Sequence, residues 1–213
     1  MLICQKNFQV LKNDLTPTLA GIQLVCFDLL GCDVVYRFFV VYRPPTSTDG
    51  DGVKLVDTTS QLVDCRANNL NKNGPGDFNC PYIDWQTMMC PSEINHNALR
   101  DFVVFNGFIQ CVLSPTRLSS ILDVVLVSDP MLVSNIEILP SFSTSDHNLV
   151  EVEFLYSVSA EACAPQTLTK RFQWNRGDYD GLCDYLSVYD WTGVIFLRII
   201  SLQTHCGVVF VML

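Results

Sequence analysis

Two neighbouring apolar runs constrain the fold more than any other feature of this sequence. Residues 22–30 and 34–42 are rich in Val, Leu, Phe and Tyr, and only Gly31-Cys32-Asp33 separates them. Two such runs across a short turn predict an antiparallel hairpin. Arg43-Pro44-Pro45 ends the second run, because proline has no N–H to donate to a sheet.

One helix and one loop are predicted in the middle of the chain. Residues 46–52, with sequence Thr-Ser-Thr-Asp-Gly-Asp-Gly, predict a loop. Residues 92–106 predict a helix that begins at an N-cap, Ser92, and stops at Gly107. Its expected apolar face consists of Ile94, Ala98, Phe102 and Phe105.

Short apolar runs after this helix predict further strands. The run over 121–127 is apolar apart from Asp123, as in a strand that is buried on both faces. Strands that alternate with helices are typical of an α/β layered fold. The other runs in this region are 108–113, 135–139 and 149–154.

The charge balance restricts how the chain could hold nucleic acid. Its net charge is -9, which argues against a basic surface that neutralises phosphates. A nuclease is still compatible with this charge, because carboxylates recruit divalent cations that then face the phosphate. The hydrophobic content of 49% predicts a folded domain and not a disordered chain.

Cysteine usage and the N-terminal residues bear on location. The chain has 10 cysteines but no C-x-x-C pair, so a zinc site has little support. Met1-Leu2-Ile3-Cys4 runs directly into the polar Gln5-Lys6-Asn7, without the apolar core of a signal peptide. We expect an intracellular protein whose cysteines are mostly reduced and buried.

The composition changes after about residue 155. Residues 157–169 are small and polar and predict a linker, and residues 178–191 predict an amphipathic helix. Residues 193–213 are strongly apolar, but Arg198, Gln203 and His205 interrupt them. A membrane span is therefore the less favoured interpretation of this segment.

Polar residues at four separate places have the chemistry that phosphodiester hydrolysis needs. Asp77 and Asn79 lie two positions apart in Gly-Asp-Phe-Asn, so both can face one pocket from an extended strand end. His147 can donate to a phosphate oxygen, and a carboxylate behind it would fix its tautomer. Asp123 is the candidate for that carboxylate, because a lone Asp in an apolar strand needs a partner. Tyr42 ends its strand beside Arg43.

Each of these pieces also has an ordinary structural explanation. Gly-Asp-Phe-Asn alone can be a turn, Ser-Asp-His alone a cap or loop, and Asp123 alone a turn cap. Asp84 and Trp85 are expected to serve a turn and packing, and His96 and His205 are interpreted as ordinary residues. The joint occurrence of the pieces in one order favours a site.

The order of these motifs resembles the endonuclease/exonuclease/phosphatase superfamily. The resemblance is closer still to the endonuclease domains of jockey-like non-long-terminal-repeat retrotransposons, over residues 20–155. It is carried by Val-Val-Tyr-Arg-Pro-Pro, Gly-Asp-Phe-Asn-Cys-Pro-Tyr-Ile-Asp-Trp, Pro-Thr-Arg, Ile-Leu-Asp-Val-Val-Leu-Val-Ser-Asp-Pro and Phe-Ser-Thr-Ser-Asp-His-Asn-Leu-Val. Residues 172–191 resemble the segment that joins such an endonuclease to a reverse transcriptase.

The resemblance implies a role for each matching residue. Asp77 would activate water or transfer a proton, and Asn79 would position phosphate or water beside the metal. Asp123 would orient His147, which would contact the scissile phosphate. Tyr42 would hydrogen-bond that phosphate. The implied product is a nick with a 3′-hydroxyl that primes reverse transcription.

The resemblance also implies a cofactor and a partner. Asp146, with Asp77 and Asn79, would hold Mg²⁺ (or Mn²⁺). Arg43 and Arg117 would contact the DNA backbone. The implied partner is DNA, with no membrane and no stable protein partner, and the implied location is intracellular and nuclear if the protein is functional.

Three departures from the family pattern modify this expectation. Members open with a strand bearing an Asn and a strand bearing a metal-binding Glu, and neither is found here, so we expect an α/β sandwich missing its first strands. Residues 68–75 lead into Gly-Asp-Phe-Asn but are polar, with Gly and Pro, and are expected to pair poorly in a central sheet. The end of the chain does not resemble the family. The expected organisation is a partial endonuclease/exonuclease/phosphatase domain over 1–155, a linker over 156–171, and a degenerate segment over 172–213 toward an absent reverse transcriptase.

Two alternatives to an impaired DNA-nicking enzyme stay open. A catalytically inactive retrotransposon remnant predicts no magnesium-dependent nicking. A phosphatase of the same fold should lack the Pro-Thr-Arg and Ser-Thr-Ser-Asp-His-Asn-Leu-Val phrases, so these count against that alternative. Loss of one carboxylate ligand would lower metal affinity or activity, so weak or absent activity is expected. The missing strands would also leave core edges exposed, so poor solubility is expected.

Overall fold

The computed structural model describes residues 2–3, 10–12, 21–31, 34–63, 70–91, 94–141, 145–156, 178, 180–181, 184, 195–201 and 206–212. In chain order the elements are β1 (Leu2–Ile3), β2 (Val10–Lys12), β3 (Gln23–Leu30), β4 (Val35–Tyr42), α1 (Asp49–Val63), β5 (Leu70–Asp77), α2 (Ile94–Phe105), β6 (Ile109–Gln110), β7 (Asp123–Val127), a 3₁₀ turn (Pro130–Leu132), β8 (Val133–Leu139), β9 (Leu149–Tyr156), β10 (Ile195–Ser201) and β11 (Cys206–Met212). One sheet has the order β2-β3-β4-β5-β7-β6, and the other has the order β1-β10-β11-β9-β8.

The six-stranded sheet is buried on both faces. Side chains alternate along its strands, so that Phe39 and Val41 of β4 pack toward the two helices while Phe38 packs toward the second sheet. In β7, Val124 belongs to the helix-side core and Val125 to the other core. These layers confirm the expected α/β sandwich.

The predicted hairpin is present. β3 and β4 pair antiparallel from Gln23↔Tyr42 to Leu30↔Val35. The strand predicted over 121–127 forms as β7, in which all five residues are buried. The run over 108–113 contributes only the two residues of β6 to the sheet.

The loop expected over residues 46–52 is wrong, because α1 begins at Asp49. Thr48 caps this helix: its N–H and its hydroxyl both donate to the Asp51 carboxylate, at 3.0 and 2.7 Å. This pairing of an N-cap with a carboxylate three residues later offsets the helix-weakening effect of Gly50 and Gly52. Leu55 and Leu62 then anchor the helix in the core.

The second helix forms where it was predicted, with a different buried face. Phe105 was expected to be inward but is 92% exposed, and the buried stripe consists of Leu99, Phe102 and Val103. Gly107 follows the helix with φ +66°, so the predicted glycine stop is confirmed. The expected N-cap, Ser92, lies outside the described residues.

The expectation that residues 68–75 would pair poorly is wrong. β5 lies in the middle of the sheet, parallel to β4 and antiparallel to β7. A Cβ on Gly74 would lie 2.1 Å from the Phe39 ring, and one on Gly76 would lie 2.2 Å from the Val41 carbonyl oxygen. The glycines therefore allow neighbouring groups to approach, and this packing outweighs the poor strand propensity of the segment.

The apolar C-terminal segment contributes strands. β10 pairs with β11, and β11 pairs with β9, so residues 195–201 and 206–212 extend the second sheet. No helix in the described ranges is long and apolar enough to cross a membrane. The expected linker, most of the helix over 178–191 and His205 lie outside the described residues, and the domain boundary at 155 stays a prediction.

Candidate active site

Three of the predicted site residues form a row across adjacent strands. Tyr42 at the end of β4 is in register with Asp77 at the end of β5, and Asp77 is in register with Asp123 at the start of β7. Residues in register on neighbouring strands project toward the same face. The sheet therefore brings together a phenol and two carboxylates that are far apart in sequence.

His147 reaches this row from the loop before β9. Its Nδ1 lies 2.9 Å from Oδ2 of Asp123, and Asp123 is only 1% exposed. The backbone N–H of His147 donates to the Ser145 hydroxyl at 3.1 Å, which holds the loop in place. The expected pairing of Asp123 with His147 is thus present in the structure.

Asn79 is tied directly to Asp77. Its side-chain amide donates to Oδ2 of Asp77 at 2.8 Å, and its backbone N–H donates to Oδ1 at 3.0 Å. The same amide donates to the Arg43 carbonyl oxygen at 2.7 Å. Asn79 has φ +48°, a left-handed conformation that Asn tolerates better than most residues. This turn directs both polar side chains into one place.

Burial and neighbouring charges shift the pKa values of Asp77 and His147. Burial, together with the negative charge of Asp123, raises the pKa of Asp77 to about 7. Burial by itself lowers the pKa of His147, but the hydrogen bond and charge of Asp123, with the charges of Asp77 and Asp146, raise it above its ordinary value. The site thus holds excess negative charge close to one imidazole.

The cluster is chemically suited to a divalent cation. Ligand atoms of Asp77, Asp123 and His147 all lie within 4.8 Å of one another. Oδ1 of Asp123 is buried and has no hydrogen-bond partner among the described residues. Hard oxygen donors with uncompensated charge are what Mg²⁺ or Mn²⁺ prefers. The residues present therefore fit a divalent metal ion.

Arg43 lies beside the cluster in a different position from the one expected. It is 4% exposed, and its guanidinium donates to the carbonyl oxygens of Phe78 at 3.2 Å, Asn79 at 3.1 Å and Ser47 at 3.3 Å. The guanidinium thus holds the turn that carries Asn79, and the expected contact of Arg43 with the DNA backbone stays a prediction.

Arg117 and Asp146 lie at the exposed rim. The Arg117 Nε donates to the Asp146 carboxylate at 2.7 Å. Slight burial raises the pKa of Asp146, but the hydrogen bond and charge of Arg117 outweigh it and lower the pKa below its ordinary value. The structure therefore pairs Arg117, which was expected to contact DNA, with Asp146, which was expected to hold the metal. The Asp146 carboxylate lies outside the cluster of Asp77, Asp123 and His147.

Thr116 is a site residue that the motif analysis did not single out. It is fully buried, and its hydroxyl accepts the backbone N–H groups of Leu122 at 3.0 Å and Asp123 at 3.1 Å. The Pro-Thr-Arg phrase pointed to Arg117 and not to Thr116. The donors to the Thr116 hydroxyl are backbone groups, so no pattern in the sequence marks this role.

Asp84 accepts hydrogen bonds from Gln86 and Thr87 within a turn, as expected of a structural residue. His96 is buried, with its ring centre 5.4 Å from that of Tyr82, and its interpretation as an ordinary residue stays a prediction.

An open pocket of about 450 Å³ lies beside Asn79. Its lining includes Arg43, Asn79, Tyr82, His96, Arg117 and Leu118.

Known proteins show which family and fold this chain shares. The family described as endonuclease-reverse transcriptase matches residues 36–151, more than half of the chain and all of the residues above. The endonuclease domain of TRAS1, a telomere-specific non-LTR retrotransposon, matches with a TM-score of 0.52 at 15% identity, over 66% of this chain and 64% of that one. This chain thus spans less than two thirds of that domain.

Two bacterial structures are more distant. An endonuclease/exonuclease/phosphatase family protein from Bacteroides thetaiotaomicron has a TM-score of 0.41 at 18% identity, over 62% of this chain and 54% of that one. A mannosyl-6-phosphatase from the same organism has a TM-score of 0.41 at 19% identity, over 62% and 57%. No curated protein matches this chain. With the family match and the sandwich fold together, the chain belongs to the endonuclease-reverse transcriptase family of the endonuclease/exonuclease/phosphatase superfamily.

Proposed function

We propose that this chain carries a site that nicks DNA by hydrolysing a phosphodiester bond with the help of Mg²⁺ or Mn²⁺. The observation that carries the proposal is the cluster of Asp77, Asp123 and His147 in a chain of this hydrolase family. A bound divalent ion would neutralise phosphate charge at the reacting centre. Asp77, Asp123 and Asn79 are the residues that would hold it, and Asp146 would join them if it were released from Arg117.

His147 is the group that contacts the phosphate in this proposal. With Nδ1 committed to Asp123, Nε2 is the atom that donates to a non-bridging oxygen. The carboxylates around His147 raise its pKa, so the charged imidazolium is favoured more than in a free histidine. A charged donor stabilises the negative charge that develops on the pentacoordinate phosphorus. Tyr42, in register with Asp77, would add a second donor.

Asp77 is the proton-transferring group. Burial raises its pKa to about 7 in the metal-free site, so this carboxylate accepts a proton more readily than an ordinary aspartate does. A bound divalent cation would lower that pKa again. Asn79 restricts the orientation of the carboxylate through two hydrogen bonds. The attacking water would lose a proton to Asp77 as its oxygen bonds to phosphorus. The bond from phosphorus to the 3′ oxygen would break, and that oxygen would take up a proton from solvent water to become a 3′-hydroxyl.

DNA is proposed as the substrate because the solved endonuclease domain with this fold comes from a retrotransposon. Arg117 lines the open pocket and would contact a backbone phosphate there. The nick would then serve as a primer for reverse transcription, and a nuclear location is proposed with it.

The test is a cleavage assay on two substrates. Purified protein is incubated with supercoiled plasmid in Mg²⁺ or in EDTA, and in parallel with a chromogenic phosphate monoester. The proposal predicts conversion of supercoiled to nicked plasmid in Mg²⁺ only, with the monoester left intact. Monoester hydrolysis without nicking would favour the phosphatase alternative, and no reaction with either substrate would favour the inactive remnant.

A further inference from the structure

Thr116 lies beside the start of β7, on the side of this strand that faces β6. β6 pairs with β7 only at Val127 and Leu126, so the start of β7 has no strand on that side among the described residues. There the Thr116 hydroxyl accepts the N–H groups of Leu122 and Asp123. The Thr116 hydroxyl oxygen thus takes the place of the backbone carbonyl oxygen that a neighbouring strand would supply. It does so at the start of β7, where Asp123 lies.

The backbone of Thr116 is hydrogen-bonded to the segment that carries His147. Its carbonyl oxygen accepts the N–H of Asn148 at 2.7 Å, and Asn148 directly follows His147. Its own N–H donates to the Ser120 carbonyl oxygen at 3.0 Å, which closes the turn. One buried residue is therefore hydrogen-bonded both to the residue that carries the carboxylate and to the neighbour of the imidazole.

We propose that Thr116 is a positioning residue that sets the contact between Asp123 and His147. The inference rests on the proposed function, because the contact matters only if the site reacts with phosphate. Asp123 and His147 lie on separate segments, and their 2.9 Å contact depends on the relative position of those segments. Thr116 is hydrogen-bonded to both segments: its hydroxyl accepts from Asp123, and its carbonyl oxygen accepts from Asn148 beside His147. Loss of its hydroxyl would release Asp123 while the turn itself remained.

A set of three variants separates this role from simple burial. Thr116→Val keeps the shape and removes the acceptor, and Thr116→Ser keeps the acceptor. Thr59→Val is the matched control, because Thr59 is 2% exposed and its hydroxyl donates to the Leu55 carbonyl oxygen at 2.8 Å within α1. Folding of each variant is compared by circular dichroism and thermal melting.

The direct readout is the proton NMR signal of the His147 Nδ1–H, which a hydrogen bond to a buried carboxylate shifts downfield and protects from exchange. We expect this signal to be present in the wild type, Thr116→Ser and Thr59→Val, and to be lost in Thr116→Val. The kcat for nicking should fall about 10- to 100-fold in Thr116→Val with KM unchanged. Retention of the signal and of wild-type kcat in Thr116→Val would overturn the proposal.

Failure of the proposed function is distinguishable. If the wild type does not nick DNA, the NMR signal alone decides whether Thr116 positions the pair. If Thr116→Val does not fold, amide exchange in the wild type decides instead. The amides of Leu122 and Asp123 should then exchange as slowly as those of Val124 and Val125, and fast exchange at both would contradict the role assigned to the Thr116 hydroxyl.

Discussion

Asp123 and His147 are 24 residues apart in sequence and 2.9 Å apart in space, joined from Nδ1 to Oδ2. The other oxygen of Asp123 has no hydrogen-bond partner among the described residues. A buried carboxylate with one oxygen on an imidazole and one oxygen unsatisfied is costly unless a cation or substrate completes it. This pair is therefore better suited to a reaction than to stability.

Asp123→Asn should lower the pKa of His147. The Asp123 hydrogen bond and charge oppose the effect of burial, and without them only the charges of Asp77 and Asp146 still favour the charged imidazole. In the wild type the raised pKa contributes stability that is present below about pH 6.5 and is lost as pH rises through the folded-state pKa. The check is an NMR titration of the His147 ring in both proteins. An unchanged midpoint in the variant would contradict the assigned cause.

Binding of Mg²⁺ should weaken as pH falls through about 7. Metal-free Asp77 takes up a proton near that pH, and the cation must displace it. Isothermal titration calorimetry in buffers of different ionisation enthalpy should detect proton release at pH 7 and less of it at pH 8.5. Binding that is independent of pH would show that Asp77 is not a ligand.

Metal-free protein should be stabilised at pH 8 by Asp77→Asn. The pKa of Asp77 lies above its unfolded value, so its contribution to the free energy of unfolding is present below about pH 4 and is lost as pH rises through 7. The slope across that window is on the order of 1 kcal/mol per pH unit. Thermal melts in EDTA at pH 5 and pH 8 check this, and a variant that is less stable at pH 8 would argue against it.

Gly76→Ala should destabilise the fold more than the same substitution at a helix glycine does. The added methyl group would lie 2.2 Å from the Val41 carbonyl oxygen, so β4 and β5 must separate next to Tyr42 and Asp77. Such overpacking costs about 1–3 kcal/mol. Gly50→Ala is the matched control, since its nearest neighbour would be Thr48 Oγ1 at 3.9 Å. Equal denaturation midpoints for the two variants would contradict this account.

Arg43 and Arg117 should differ in their effects on DNA binding. Arg117→Ala removes a rim cation and should reduce the salt dependence of binding, by about 1 in the log–log slope. Arg43→Met should leave that slope unchanged but lower kcat, because methionine cannot donate to the three carbonyl oxygens that the guanidinium holds. Fluorescence anisotropy over a salt series checks both variants. A reduced slope in Arg43→Met, which removes the positive charge, would instead support a contact between Arg43 and the DNA backbone.

The strands and the central pair were predictable because their signals are local. The runs that form β3, β4 and β7 follow strand periodicity, and a lone Asp123 in an apolar strand implies a partner. Helix α1 was missed because its glycines resemble a loop, although Thr48 and Asp51 supply a capping signal.

Other features depend on neighbours that sequence patterns do not reveal. β5 is a central strand only because the Phe39 ring and the Val41 backbone occupy the space above its glycines. The burial of Arg43 follows from the course of the turn around Asn79. The two hydrogen bonds to the Thr116 hydroxyl come from backbone groups, which leave no pattern in the sequence.

The rate of plasmid nicking in Mg²⁺ tests the central claim most directly when wild type is compared with three variants. Asp77→Asn and His147→Ala alter the cluster, and Asp84→Asn makes the same change as Asp77→Asn in an exposed turn that lies outside it. The account predicts nicking by wild type and Asp84→Asn, and loss of at least about 100-fold in the two cluster variants. Nicking by Asp77→Asn and His147→Ala at the wild-type rate, or its absence in all four proteins, would contradict it.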